Sequence, residues 1–142
     1  FKDSLFNPET CYLTNADKEM IGVVVSSINC CSYCLTTHGD TLRGYTKNPM
    51  LVDKLSYNFR SAKDLLTEKQ YALCEYAWYV TKHADEIDET QIEKLRAVGF
   101  NDHEILEAAF VAGFFNYTNR WVSTISPIAN PGHFSHNRNF EK

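Results

Sequence analysis

The chain has 142 residues, with 14 Lys+Arg against 18 Asp+Glu for a net charge of −4. That length supports one hydrophobic core, and a weakly acidic chain lacks the field that gathers nucleic-acid phosphates, so a single domain with no nucleic-acid partner is expected. Apolar residues at 44% and aromatics at 13% exclude the composition of a disordered chain.

The N-terminal stretch FKDSLFNPET has no apolar segment of the kind that opens a secretory signal. Thr14 with Asp17 three positions on has capping-box spacing and opens a helix to about Asn29, on which Ile21, Val24, Val25 and Ile28 recur with helical period. The β-branched run Val23 to Val25 and Gly22 pull toward strand, but strict alternation is missing and helix is the reading. After a break at Asn29 and Cys30, a second helix spans about Ser32 to Thr46, and Asn48-Pro49 starts a third that runs to about Tyr57.

Thr67 with Gln70 opens a helix to about His83 with the stripe Tyr71, Cys74, Ala77 and Trp78, and Asp88 caps another that closes at Gly99. Asn101 with Glu104 opens the longest, to about Thr124; Ile105, Ala108, Ala109, Ala112 and Phe115 form its buried face, and Pro127 forbids continuation. Six helices and no strand predict an all-α, single-domain bundle over residues 1–142. Residues 126–142 read as a loop tail that orders against a partner or second subunit, with His133 and His136 solvated. The longest uninterrupted apolar run, residues 108–115, is well short of the roughly 18 to 20 needed to span a bilayer, so no membrane partner is expected.

Five cysteines, at 11, 30, 31, 34 and 74, are an odd count at irregular spacing that does not suit a secreted disulfide framework, and a reducing cytoplasm is the expected location. On a helix, Cys31, Cys34 and His38 fall at i, i+3 and i+7 and share a face. Structural zinc would need a fourth ligand from Cys30, Glu19 or a distant histidine, and ligands in line along one helix converge poorly on a tetrahedral ion. Covalent haem attachment requires His directly after the second cysteine, where this chain has Leu35. No metal and no cofactor are therefore expected.

A dithiol at a helix start suits redox chemistry, because unpaired N–H groups and the helix dipole stabilise a thiolate, and only the thiolate attacks an O–O or S–S bond. A second thiol at CxxC spacing can then trap a sulfenic acid as a disulfide. The dipole favours Cys31 as the attacking sulfur and the nearby imidazole favours Cys34, so the residues alone leave that choice open. Glu19 lies on the preceding helix at the edge of its apolar run, where a carboxylate near a helix N-terminus is also favourable on electrostatic grounds alone.

Glu19, followed twelve residues on by Cys31-x2-Cys34-x3-His38, resembles the active-site pattern of the alkylhydroperoxidase D-like branch of the carboxymuconolactone decarboxylase family. The runs EMIGVVVSSINCCSYCLTTHGDTLR, ALCEYAW and FFNYTNR are similar to its peroxidase-related members, so the resemblance covers about Leu13 to Val122. It implies an alkylhydroperoxidase D-like helical fold, a homo-oligomer of three or six chains, and reduction of a hydroperoxide by a dithiol pair that an external dithiol reductant regenerates. It also implies Cys34 as the peroxide-attacking cysteine, Cys31 as the resolving one, and Glu19 with His38 as a proton relay. The chain departs from some members in having Tyr33 where they carry a second histidine, and in its extra Cys30, a packed small residue or a competing disulfide partner.

In the FNYTNR segment, Phe114, Phe115 and Tyr117 read as core or interface aromatics, and Asn116, Asn119 and Arg120 as hydrogen-bonding groups for an interface. Two other functions compete with the peroxidase. A lactone decarboxylase needs a general base and no cysteine pair, and a non-catalytic redox-responsive protein would consume peroxide once and stop.

Overall fold

The computed structural model describes residues 2–7 and 9–140. Among them, all regular structure is helical. The α-helices are α1 (Lys2–Leu5), α2 (Asn15–Ile28), α3 (Ser32–Thr46), α4 (Pro49–Tyr57), α5 (Glu68–Lys82), α6 (Glu89–Ala97), α7 (Asp102–Ile125) and α8 (Gly132–Ser135), with 3₁₀ segments at Phe59–Leu65 and Ala84–Glu86. The six expected helices correspond to α2 through α7; α1, α8 and the 3₁₀ segments are too short to carry a periodic signal.

α2 is the central rod, packed by α3, α4, α5 and α7. Its residues Lys18 to Ser26 are all buried, which explains the ambiguous Val23–Val25 run: a helix enclosed on every side has no polar face to preserve. Thr14 starts it by accepting the Asp17 N–H at 3.1 Å, and its hydroxyl donates to the Asp17 carboxylate at 2.8 Å. α7 begins with a reciprocal box in which the Glu104 N–H donates to Asn101 at 2.9 Å and the Asn101 N–H to Glu104 at 2.8 Å. Gly22 lets α2 and α7 approach closely, because a Cβ there would lie 2.7 Å from Cε1 of Phe115 on α7.

The buried cation Lys18 is completely enclosed, donating to the Leu5 carbonyl at 2.6 Å with the Glu107 carboxylate 3.8 Å away. Glu107 in turn accepts the backbone N–H groups of Tyr12 and Leu13 at 3.0 and 2.6 Å, so α7 holds the N-terminal segment through one carboxylate.

The tail differs from the expected solvated loop. Residues 132–135 form a short helix, and Asp40 of α3 accepts His133 Nδ1 at 2.6 Å, His136 Nδ1 at 2.8 Å and Asn137 Nδ2 at 3.0 Å. Arg43, buried one turn on, donates to the carbonyls of His133 and His136 at 2.6 and 3.1 Å. The tail therefore docks on its own chain because two charged α3 side chains read its side chains and its backbone together. Residues 141 and 142 of the expected loop lie outside the described residues.

Candidate active site

The turn between α2 and α3 sets the site. Asn29 ends α2, and Cys30 takes the left-handed conformation at φ 53°. The Cys31 N–H donates to the Ser26 carbonyl at 3.0 Å and the Cys30 N–H to the Ser27 carbonyl at 3.2 Å, the paired bonds of a Schellman motif with Cys30 in the position glycine usually fills. Cys30 is thus accounted for by its backbone, while its side chain is exposed. The turn delivers Cys31 as the N-cap residue of α3 and Cys34 within the first turn.

Both sulfurs are buried, with Cys31 2% and Cys34 3% exposed, and they lie close together as unbridged thiols. Val122 of α7 and the half-buried Tyr33 pack against them. A cavity of about 280 Å³ opens beside them, lined by Cys31, Tyr33, Val122, Ser123 and Ser126 among others. Cys31 lines this opening and Cys34 does not.

Glu19 from α2 and His38 from α3 meet directly, with Oε2 to Nδ1 at 2.6 Å. The carboxylate is buried and the imidazole partly so, and the Phe115 ring stands edge-on to the imidazole at 4.7 Å and 88°. The four predicted residues therefore form two pairs, Glu19 with His38 and Cys31 with Cys34.

The expectation of a thiolate held ready by the helix start meets a stronger opposing effect at Cys34. Burial and the hydrogen bond with Cys31 push that thiol up to about 12, against a smaller downward pull from Asn119. Cys34 is thus a neutral thiol at rest, and its proton has to leave during any reaction. Cys74 is pushed up by burial as well, in the packed interior of α5.

Asn119, expected to hydrogen-bond across an interface, is instead buried inside the chain against the end of α2. It is 1% exposed, its Nδ2 donates to Ser26 Oγ at 3.0 Å, and its Oδ1 accepts from Asn29 Nδ2 at 3.1 Å. Asn116 also turns inward, accepting from Asn29 at 2.9 Å and donating to Thr81 at 3.2 Å, whereas Arg120 is exposed. The available signal was the helical spacing, since Asn119 follows Phe115 by four and shares its buried stripe. Phe115 is fully buried and Tyr117 exposed. Among the described residues, no three His, Cys, Asp or Glu side chains gather as a metal ion would require.

No protein-family model matches the sequence, and no curated protein does. Solved structures do. An uncharacterized peroxidase-related protein from Silicibacter sp. TM1040 is 39% identical with a TM-score of 0.91, over 96% of this chain and 70% of its own. An alkylhydroperoxidase AhpD core, an uncharacterized peroxidase-related protein from Ralstonia eutropha JMP134, is 33% identical with a TM-score of 0.92, over 99% of this chain and 72% of its own. A protein of unknown function from Agrobacterium tumefaciens follows at 26% identity and a TM-score of 0.75, over 83% of this chain and 80% of its own. A likeness that keeps a third or more of the residues over nearly the whole chain is one of descent as well as shape, and the chain belongs to the alkylhydroperoxidase D-like family of peroxidase-related proteins.

Proposed function

We propose that this protein is a thiol-dependent peroxidase that reduces organic hydroperoxides through a Cys34/Cys31 dithiol–disulfide cycle. The observation that carries the reading is the pairing of two pairs: a carboxylate–imidazole couple at 2.6 Å and a buried, unbridged cysteine pair, all on adjoining helices. In the cycle, the Glu19–His38 couple takes the Cys34 proton through a bridging water. The thiolate attacks one oxygen of ROOH, the O–O bond breaks, and the departing alkoxide takes a proton from the couple to leave as ROH. Cys34 is then a sulfenic acid. The Cys31 sulfur attacks it, water leaves with the hydroxyl and a proton, and the disulfide forms. An external dithiol arriving at the cavity attacks Cys31, which lines it, and two exchange steps restore both thiols.

Nδ1 of His38 faces Glu19, so Nε2 is the nitrogen free to move a proton, and the carboxylate stabilises the imidazolium formed when it accepts one. The test is consumption of an organic hydroperoxide with dithiothreitol as donor. Wild type should turn over many equivalents and Cys34→Ser none. Consumption of a single equivalent followed by arrest would instead make the chain redox-responsive and not catalytic.

The same reading includes self-association. Leu106, Phe110, Tyr117, Trp121 and Ile125 are exposed along one face of α7, an apolar stripe with Gly113 in its middle. A second copy of the chain is its occupant, because an α7-to-α7 contact would set the same apolar residues against one another.

A further inference from the structure

A run of five polar side chains crosses the bundle from α5 through α7 and ends at the turn that carries the cysteines. Thr81 of α5 gives its own hydroxyl hydrogen to the Ala77 carbonyl at 2.8 Å, so toward Asn116 it can only accept. Asn116 donates both hydrogens of Nδ2, to Thr81 at 3.2 Å and to the Ala112 carbonyl at 3.0 Å. It therefore presents Oδ1 to Asn29, whose Nδ2 likewise uses both hydrogens, on Asn116 Oδ1 at 2.9 Å and on Asn119 Oδ1 at 3.1 Å. Asn119 then donates from Nδ2 to Ser26 Oγ at 3.0 Å. Rotating the amide of Asn29 or Asn116 would set oxygen against oxygen, so the run has one arrangement. Its two α2 members bracket the turn. Asn29 is the C-cap, and Ser26 supplies the carbonyl that takes the Cys31 N–H at 3.0 Å. The Leu35 N–H takes the Cys31 carbonyl at 2.9 Å, so Cys31 is gripped from α2 on one side and on the other from α3, which carries Cys34.

We infer that Asn29 is a positioning residue for the cysteine pair: with Asn116, Asn119 and Ser26 it moors the α2–α3 turn to α7, and through the turn it keeps Cys31 within bonding range of Cys34. The mooring acts on the backbone, through the cap of α2 and the Ser26 carbonyl. Ser26 is fully buried and Asn119 is 1% exposed, so water is not at hand to replace these bonds when one is lost. A disulfide fixes its two sulfurs at about 2.0 Å, and a thiol already held beside its partner reacts as though present at high concentration, which favours the closed bond. Closing it releases two protons and two electrons, which an acceptor disulfide takes up to become a dithiol. Loosening the turn lets Cys31 drift and weakens the disulfide relative to the dithiol. The inference rests on the dithiol–disulfide cycle of the proposed function and names the residues that set its balance.

The experiment equilibrates the full chain, carrying Cys30→Ser so that one cysteine pair remains in the relevant peptide, with oxidised and reduced dithiothreitol in a series of ratios. Acid quenching, alkylation and mass spectrometry of the peptide holding Cys31 and Cys34 give the fraction in disulfide form. Asn29→Ala should lower the disulfide-to-dithiol equilibrium constant by about tenfold, a rise of about 30 mV for this two-electron couple, the effect of leaving buried hydrogen-bond partners unpaired. Asn116→Ala, on α7 and outside the turn, should move it the same way by a smaller factor, because the Asn119 bonds remain. That variant decides the matter should Asn29→Ala fail to give the helical circular dichroism of the parent. Bonds that only hold the fold together would lower the thermal midpoint and leave the couple where it is. An unmoved or more reducing couple in folded Asn29→Ala, or in Asn116→Ala where that variant alone folds, therefore overturns the inference and leaves the peroxidase standing. A parent chain that forms no Cys31–Cys34 disulfide at any ratio would overturn the proposed cycle as well.

Discussion

Cys30 and Cys34 show how differently neighbouring cysteines are used. Cys30 pays a left-handed backbone to close the Schellman turn, and its exposed thiol adds only a long contact of 4.0 Å to the Ile28 carbonyl. Cys30→Gly should therefore raise stability by about 1 kcal/mol in thermal unfolding while leaving peroxide turnover intact. Lost turnover would place that thiol in the cycle. For Cys34 the sign of the pH effect follows from its raised value. The folded chain keeps the proton that the unfolded chain releases near 9, so stability is full below about pH 9 and declines between 9.0 and about 12. Cys34→Ser should flatten that alkaline loss in denaturant titrations. The alignment of Cys31, Cys34 and His38 was legible because one helical face is a local pattern, whereas Glu19 was marked out by the family resemblance. The bond of Asn119 to Ser26 was not legible, because it joins residues 93 apart.

At the level of elements, the site depends on how α7 lies against α2 and α3. Phe115 fills the notch over Gly22 and then stands edge-on to His38, so the glycine indirectly sets the imidazole. Gly22→Ala should cost roughly 1–3 kcal/mol by overpacking. It should also lower peroxide turnover by displacing His38 through Phe115. Chemical denaturation and steady-state rates together check this, and an unaltered rate in a destabilised protein would show that His38 is positioned by Glu19 alone. The capped helices were readable because Thr67, Asp88 and Asn101 declare their starts within three residues. Lys18 was not. A lysine in a helix is ordinarily solvated, and only the N-terminal segment folding back to Leu5 and Glu107 turns it into a buried tie.

Across the whole molecule, the tail and the outer face of α7 carry the remaining expectations. Burial alone would raise the Asp40 carboxyl, but hydrogen bonds from His133, His136 and Asn137 outweigh it and hold the group below its usual value of 3.8. That contribution is present above about pH 4 and is lost as the pH falls through the lowered value. Asp40→Asn should release residues 126–140 to limited proteolysis at neutral pH, and an equally protected tail would assign its docking to Arg43 and to the Arg138–Asp53 pair. The tail defeated the sequence reading because its partners lie some 90 residues away on α3, a separation no local pattern reports. If the proposed self-association through α7 holds, wild type should sediment as an oligomer and Trp121→Glu as a monomer, and an unchanged oligomer would move the contact off α7. The central claim, that a carboxylate–imidazole couple serves the cysteine pair, is tested most directly by kcat/KM for an organic hydroperoxide in Glu19→Gln. A fall of about 10² or more in a folded protein is the predicted result, within the usual range for general acid–base groups, and a rate within twofold of wild type would contradict it.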